Sequence, residues 1–377
     1  MKRLVLVGGG HAHVHVLKAI GDALDPTVSV TLVTPVERQV YSGMLPGFLA
    51  GHYALEDCGI DLIPLAARAR ALVVRSAASL VNPAMREVIC ANGEVVPYDV
   101  LSIDIGSRAF TGRVKGVEEH AVIIRPLERF VEGWEKLLAR ARQGGMSSVS
   151  VVGGGAAGLE LAFAVENRLR RESGGGAPHV RVLTDARTVV PEYPAAGRGR
   201  LLRLARRRNI GTHGGSLVTE VGPGYVRLRD AIEFATDATL WVAGAAAPGL
   251  FRDSGLQTDD RGFLAVNDFM QSVSHPEVFG AGDCATNLAN PRPKAGVFAV
   301  RAGPALAANL VAAMKGGPLQ RFAPSPRYLA LVSCGSRHAV GVYGPFSFEG
   351  GWAWRWKDRI DRGFVARYSA KALAASR

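Results

Sequence analysis

RLVLVGGGHAHVHVLKAI (residues 3–20) opens the chain, and SVSVVGGGAAGLELAFAV (residues 148–165) repeats its pattern in the middle. Each reads as a buried strand, a glycine turn and an apolar-periodic helix, the opening of a βαβ unit. Two copies imply two nucleotide sites. A dinucleotide fingerprint needs one glycine for the tight turn, a second so that backbone can approach a pyrophosphate, and a third for close helix-to-strand packing. The second copy has all three in Gly153, Gly155 and Gly158, whereas the first has Gly8 and Gly10 but carries His13 where the third belongs.

That placement bears on HAHVH. On the first turn of a helix, His11 and His15 share a face and His13 points elsewhere, which argues against three histidines on one metal ion. His11 is expected to line the pyrophosphate site, where a bound diphosphate offsets the repulsion between a protonated imidazole and the positive helix end. His13 is expected to pack against the strand. A helix-start histidine with no ligand contact is the competing reading for either one.

The acidic residue that binds the adenosine ribose stands about 20 residues beyond the glycines. It is missing from the first copy, where VSVTLV (28–33) runs into Thr34 and Pro35, leaving Thr34 or Glu37 to serve. In the second copy HVRVLT (179–184) is followed by Asp185 and then Arg187. Asp185 would bond the ribose hydroxyl of NADH and Arg187 would tolerate the NADPH phosphate; NADH is favoured.

Around these units lie YDVLSIDIGS (98–107), a strand; a helix from Leu127 to Gln143 ended by Gly144 and Gly145; a loop, SGGGAP (173–178); and RGRLLRLARRRN (198–209), a basic helix whose arginines read as a solvated face. DATLWVAGAAAP (237–248) and SHPEVFGAGDCA (274–285) each run from a strand into glycine, and a helix follows from about Gly296 to Met314. At 377 residues, 48% hydrophobic and 21% charged, the chain has the composition of a globular protein of two or three domains. Cys58, Cys90, Cys284 and Cys334 have no paired spacing, which argues against a disulfide framework or a zinc site and suits a reducing, cytoplasmic protein. No metal is expected. No apolar run approaches the ~18 residues of a membrane span, so neither a spanning segment nor ordinary export is expected. The net charge of +12 is spread along the chain without interleaved aromatics, so nucleic acid is not an expected partner.

In their order these motifs resemble the two-dinucleotide-binding-domain flavoproteins of the pyridine nucleotide-disulfide oxidoreductase superfamily. The matching stretches are VLVGGGHAHV, VVGGGAAGLELA, DATLWVAGAAAPGL, GLQTDDRGFLAVNDFMQSVSHPEVFGAGDCA and KAGVFAVRAG. Within it the chain is most similar to the type II NADH dehydrogenase-like branch, and GGGHAHV, YSGMLPG and WRWKDRID resemble the flavoprotein that some organisms fuse ahead of selenide, water dikinase. The resemblance implies an α/β fold of two Rossmann-like FAD/NAD(P)-binding domains, glutathione-reductase-like, with residues 1–108 and 241–317 binding FAD, 109–240 binding NAD(P)H, and 318–377 a small C-terminal module. It implies that Gly8 and Gly10 cradle the FAD diphosphate, that Asp283 hydrogen-bonds the ribityl chain with Gly282 beside it in the cofactor site, and that Gly153, Gly155, Gly158 and Glu160 hold NAD(P)H with Glu160 near the nicotinamide. The helix beginning at Gly296 would aim its positive end at the flavin N1 and C2 carbonyl, with Lys294 adding charge. A helix N-cap is the competing role for Asp283. The implied reaction passes hydride from NAD(P)H to FAD and electrons to an acceptor such as a quinone, with no residue assigned to proton transfer. The lone Cys58 after the second strand departs from the dithiol reductases, and sulfide:quinone-type enzymes need cooperating cysteines. A sulfide- or selenium-directed oxidoreductase and a low-turnover redox sensor, or partner of a separate selenophosphate synthetase, remain rival readings.

The tail, WAWRWKDRIDRGFVARYSAKALAASR (352–377), places Trp356, Ile360, Phe364 and Tyr368 every four residues, with Arg355, Lys357, Arg359, Arg362 and Arg367 on the other faces. Such a helix either lies on an anionic bilayer, making the protein peripheral on the inner face of the membrane, or docks its stripe on the protein's own core. Docking is preferred, because Asp358 and Asp361 dilute the basic face and Gly363 weakens the helix. A homodimer is left open.

Overall fold

The computed structural model describes residues 2–112, 114–144, 146–172 and 178–375. Gly145 and residues 173–177 of the SGGGAP stretch lie outside the described residues. The first quoted unit forms the strand Arg3–Val7 and the helix His11–Ala23, and the second forms Ser148–Val152 and Ala156–Glu172. Each strand is the middle of a five-stranded parallel sheet. The first sheet has the order Val278–Gly280, Val100–Ile103, Arg3–Val7, Ser29–Val33, Ala71–Val74. The second has the order Ala121–Ile123, Ala238–Trp241, Ser148–Val152, His179–Leu183, Gly211–His213. The fold is therefore α/β with two Rossmann-like units.

Leu4, Val5, Leu6 and Val7 are all buried. Continuous burial, rather than alternation, is what a parallel strand covered on both faces requires. In each sheet the chain leaves the central strand toward one side and later returns on the other. The C-terminal ends of Arg3–Val7 and Ser148–Val152 are thus topological switch points, where open α/β sheets leave a ligand crevice.

The helix Gly296–Lys315 lies against His11–Ala23. At their crossing a Cβ on Gly303 would stand 2.6 Å from the His15 Cβ, so only glycine permits the approach. Length and a mean hydropathy of 1.5 would let this helix cross a membrane. Its Leu306, Leu310 and Met314 instead share a core with Val16, Leu17 and Ile20, and its Asn309 amide donates to the carbonyls of Phe269 and Gln320, 2.9 Å each.

The tail folds as a three-stranded antiparallel sheet (Ala330–Ser333, Ala339–Tyr343, Phe346–Gly350) followed by the helix Gly351–Ala366. Val332, Val340 and Val342 enter the same core as Phe163 and Leu201. The basic helix, Ala195–Arg207, consequently does not present a wholly solvated face: Arg203 pairs with Glu349 of the tail sheet at 3.0 Å, and just beyond the helix Arg208 pairs with buried Glu166 at 2.8 Å. Those acids come from distant segments, which the local charge pattern does not register.

The tail helix also corrects the every-fourth-residue stripe. Phe364 and Tyr368 are buried, but Trp356 and Ile360 are exposed, and Ala353, Trp354 and Asp361 complete the inner face. An α-helix turns about 100° per residue, so a spacing of four drifts by about 40° at each step. From Trp356 to Tyr368 that drift carries the stripe from one face of the helix to another.

Candidate functional site

In the first turn Gly8 adopts φ +91°, a conformation open to glycine, and its N–H donates to the Val33 carbonyl at 2.8 Å. The three histidines behind it take separate roles. His13 is buried, with Nδ1 2.6 Å from the Gly8 carbonyl and Nε2 2.8 Å from the Ser102 hydroxyl. Burial pushes its imidazole down to about 4. It is therefore neutral, and because the Gly8 carbonyl can only accept, Nδ1–H donates there and Nε2 accepts from Ser102. This explains how the first turn dispenses with a third glycine. In the second turn a Cβ on Gly158 would collide with the carbonyl of Gly153, the counterpart of Gly8; in the first, an imidazole satisfies that carbonyl.

His15 turns to the tail, with Nδ1 3.3 Å from the Tyr368 hydroxyl. His11 joins a three-ring cluster with Tyr41 and Phe364, ring centroids 5.3 and 6.2 Å away and those two rings 4.5 Å from each other, and its buried Nε2 has no hydrogen-bond partner. Burial holds its imidazole below the usual range. Among the described residues no group of three His, Cys, Asp or Glu side chains is placed to hold a metal ion.

Asp104, at the end of the strand Val100–Ile103, escaped sequence reasoning. Its buried Oδ2 accepts the amides of Ala12 and His13 at 2.8 and 3.1 Å, and its backbone carbonyl accepts the Gly10 N–H at 3.0 Å. Burial pushes this carboxyl up to about 6. The space it occupies exists because Gly10 and Gly282 lack side chains: a Cβ on either would overlap the carboxylate. Next to Gly282, Asp283 forms an ion pair with Arg125 at 2.9 Å. The turn Gly282–Cys284 leads into the strand Ala285–Asn287, so Asp283 is not a helix cap.

The remaining candidates of the first unit lie nearby or along its edge. The buried Thr34 hydroxyl donates to its own turn, at the Val36 carbonyl (3.1 Å), while exposed Glu37 pairs with Arg75 at 2.8 Å. The Lys294 ammonium is engaged by the Ala285 carbonyl (2.6 Å) and the Thr286 hydroxyl (2.8 Å), 4.0 Å above the Phe263 ring centroid. Gly296 begins its helix beside the YSGMLPG loop, where a Cβ would lie 3.3 Å from the Ser42 hydroxyl.

At the second turn a Cβ on Gly155 would find nothing nearer than the Glu192 Oε1 at 3.8 Å. That oxygen accepts the Ala156 amide at 2.9 Å, another contact the sequence did not disclose. Asp185 and Arg187 are exposed just past the strand His179–Leu183. Glu160 accepts the Ser333 amide at 2.6 Å, and burial pushes its carboxyl up against the pull of Lys357. Lys357 donates to Asp361 at 2.7 Å and to the Gly43 carbonyl at 2.8 Å. Burial alone would lower its ammonium, but Asp361 and Glu160 carry it net upward. Asp361 also meets the Tyr41 hydroxyl. A buried polar row thus runs from the first unit through the tail helix toward the second.

All four cysteines are free and buried. Burial pushes Cys58 and Cys284 up to about 12 and raises Cys334 as well, so these thiols stay protonated and are poor nucleophiles. On the outside, Trp352, Trp356 and Ile360 line the exposed face of the tail helix together with Arg355 and Arg359.

The family model described as pyridine nucleotide-disulphide oxidoreductase matches residues 2–309. The chain belongs to that family. Among curated relatives, the type II NADH:quinone oxidoreductase of Haemophilus influenzae is 24% identical over 90% of this chain and 87% of its own length. Two solved structures superpose with TM-scores of 0.82. The sulfide:quinone oxidoreductase of Aquifex aeolicus is 19% identical, covering 98% of this chain and 91% of that one. NDH2 from Plasmodium falciparum, in complex with NADH, is 13% identical with 97% of each chain covered. At those identities the structures establish the fold. Family membership makes the chain an oxidoreductase of the NADH dehydrogenase-like branch and implies FAD and NAD(P)H. The residues of this oxidoreductase fit both groups: an unpartnered buried His11 nitrogen adjoins the first turn, and the open face of Gly155 leaves room for a ligand at the second.

Proposed function

We propose that this protein is an FAD-dependent NADH oxidoreductase whose electron acceptor is a quinone met at a membrane surface. The observation that carries the reading is the pair of glycine turns, each at the switch point of its own parallel sheet. Gly8, Gly10, His11, Thr34, Gly282 and Asp283 hold FAD; Gly153, Gly155, Gly158 and Asp185 hold NADH. The first turn of Gly296–Lys315 and the Lys294 ammonium add positive potential on the flavin side. Bound FAD supplies a ring that accepts hydride and gives up electrons. The chain itself supplies position and exclusion of water. Quinone reduction also consumes protons, and Lys357, kept charged by Asp361 and Glu160, holds one at Nζ within the buried row that ends at Tyr41.

Buried, protonated cysteines speak against sulfide chemistry despite the shared fold with a sulfide:quinone oxidoreductase. An anaerobic titration of the purified holoprotein tests the choice. NADH should bleach the oxidised flavin band, whereas bleaching by sulfide, with NADH and NADPH both inert, would overturn the proposal.

Two substitutions probe particular residues. Glu192 places a negative charge at the helix end offered to the NADH diphosphate. Glu192→Gln should lower KM for NADH about fivefold with kcat little changed, an effect of about 1 kcal/mol; a raised KM would assign Glu192 a supporting role. For the membrane face, Trp and Ile flanked by arginine form the surface that sinks into an anionic interface. The double variant Trp352→Glu, Trp356→Glu should lose binding to anionic vesicles while still oxidising NADH with a water-soluble quinone. Undiminished vesicle binding would remove the tail helix from that role.

A further inference from the structure

Asp104 stands where, on the reading of the first turn as the flavin nucleotide site, the diphosphate is received. A helix N-terminus that receives a diphosphate offers it backbone N–H groups. Here the amides of Ala12 and His13 already donate to the Asp104 carboxylate, at 2.8 and 3.1 Å. Asp104 is buried and wedged between two turns assigned to the flavin, in room that exists only because Gly10 and Gly282 have no side chains. Ordinary N-caps come from the residue preceding the helix; this one arrives from a neighbouring strand of the sheet.

Of the ionisable groups facing Asp104, only His11 pulls its carboxyl down, and burial disfavours the protonated imidazole that does so. His13, on the same helix, is neutral. From the Gly282 turn come Asp283, already paired with Arg125, and the protonated Cys284 thiol. The charge of an ionised Asp104 is therefore met by the two amides, the helix end and whatever fraction of His11 is protonated. A diphosphate at that helix end competes for the same compensation and adds like charge beside the carboxylate, and both effects favour the neutral acid.

We propose that Asp104 is a proton-coupled gate on flavin binding: ionised, it caps the opening helix in the free protein; on binding FAD it takes one proton from solvent and yields the helix end to the diphosphate. The balance is one proton taken up per FAD bound, with no bond broken in the cofactor. Because burial already holds the free carboxyl up to about 6, a modest further push keeps it protonated at neutral pH in the complex.

The test uses the full-length protein stripped of flavin and titrated with FAD between pH 5 and 8.5, read by quenching of flavin fluorescence. The wild-type Kd should be flat below about pH 6 and rise about tenfold per pH unit up to about pH 8. Asp104→Asn should give a flat profile and bind about a hundredfold more tightly than wild type at pH 8. Calorimetry of the wild type in two buffers of different ionisation enthalpy supplies a second readout that needs no variant, with uptake approaching one proton per FAD near pH 7. A flat wild-type profile without proton uptake, or an Asn variant weakened equally at every pH, would overturn the gate and leave the flavin reading standing. Absence of FAD binding at every pH would overturn both.

Discussion

Gly155→Leu should abolish reduction by NADH while leaving the flavin in place. The kcat/KM for NADH should fall by at least about a hundredfold, near 3 kcal/mol of lost transition-state stabilisation. The reason lies in what surrounds that glycine: a Cβ would meet no protein atom closer than 3.8 Å, so a side chain can start there without striking the turn, and it projects from the face that a dinucleotide would approach. Gly158 is the instructive contrast, since a Cβ there would strike the Gly153 carbonyl and distort the turn itself. Flavin absorbance per protein and the thermal midpoint of Gly155→Leu should match wild type. Loss of flavin instead of NADH reactivity would show that the two turns have exchanged roles.

His13→Ala should be the most damaging single truncation in the first unit, destabilising by roughly 4 kcal/mol. It removes two buried hydrogen bonds, leaves the Gly8 carbonyl and Ser102 hydroxyl without a partner, and opens a cavity beneath the turn. The same residue makes stability depend on pH. Its imidazole sits at about 4 in the folded chain, below the ordinary 6.5, so the unfolded chain binds the extra proton. The contribution is complete above pH 6.5 and is lost as pH falls toward 4. Between pH 7 and pH 5 it amounts to about 2 kcal/mol. Asp104 acts with the opposite sign, its contribution being lost as pH rises through about 6, but it is common to wild type and variant. Urea unfolding at both pH values should therefore show wild type losing about 2 kcal/mol more than His13→Ala on acidification. Equal losses would mean that His13 is not held neutral.

The parts of this molecule that were legible in its sequence are those whose causes are local. Strand, glycine turn and helix follow one another within about twenty residues, and both copies fold as their patterns require. The separation of His11 and His15 from His13 follows from helical geometry alone. What stayed hidden depends on partners far along the chain. Nothing near Asp104 announces that it will cap a helix beginning at His11, and nothing in VVPEYP marks Glu192 as the neighbour of Ala156. The tail was half legible: its apolar spacing was visible, but which residues turn inward depended on His11, His15 and Tyr41 waiting to receive Phe364 and Tyr368.

The first sheet is closed by Val278–Gly280, which pairs with Val100–Ile103 across the whole intervening unit. Seen as a folding problem, this is the closure of a very long loop, and non-local pairings of this kind are slow. A second unit that becomes compact early would shorten that loop, so the first sheet is expected to depend on the second for its closure: a lesion that slows the second sheet should delay protection of the Val278–Gly280 amides in pulsed hydrogen exchange, even though the first turn is untouched.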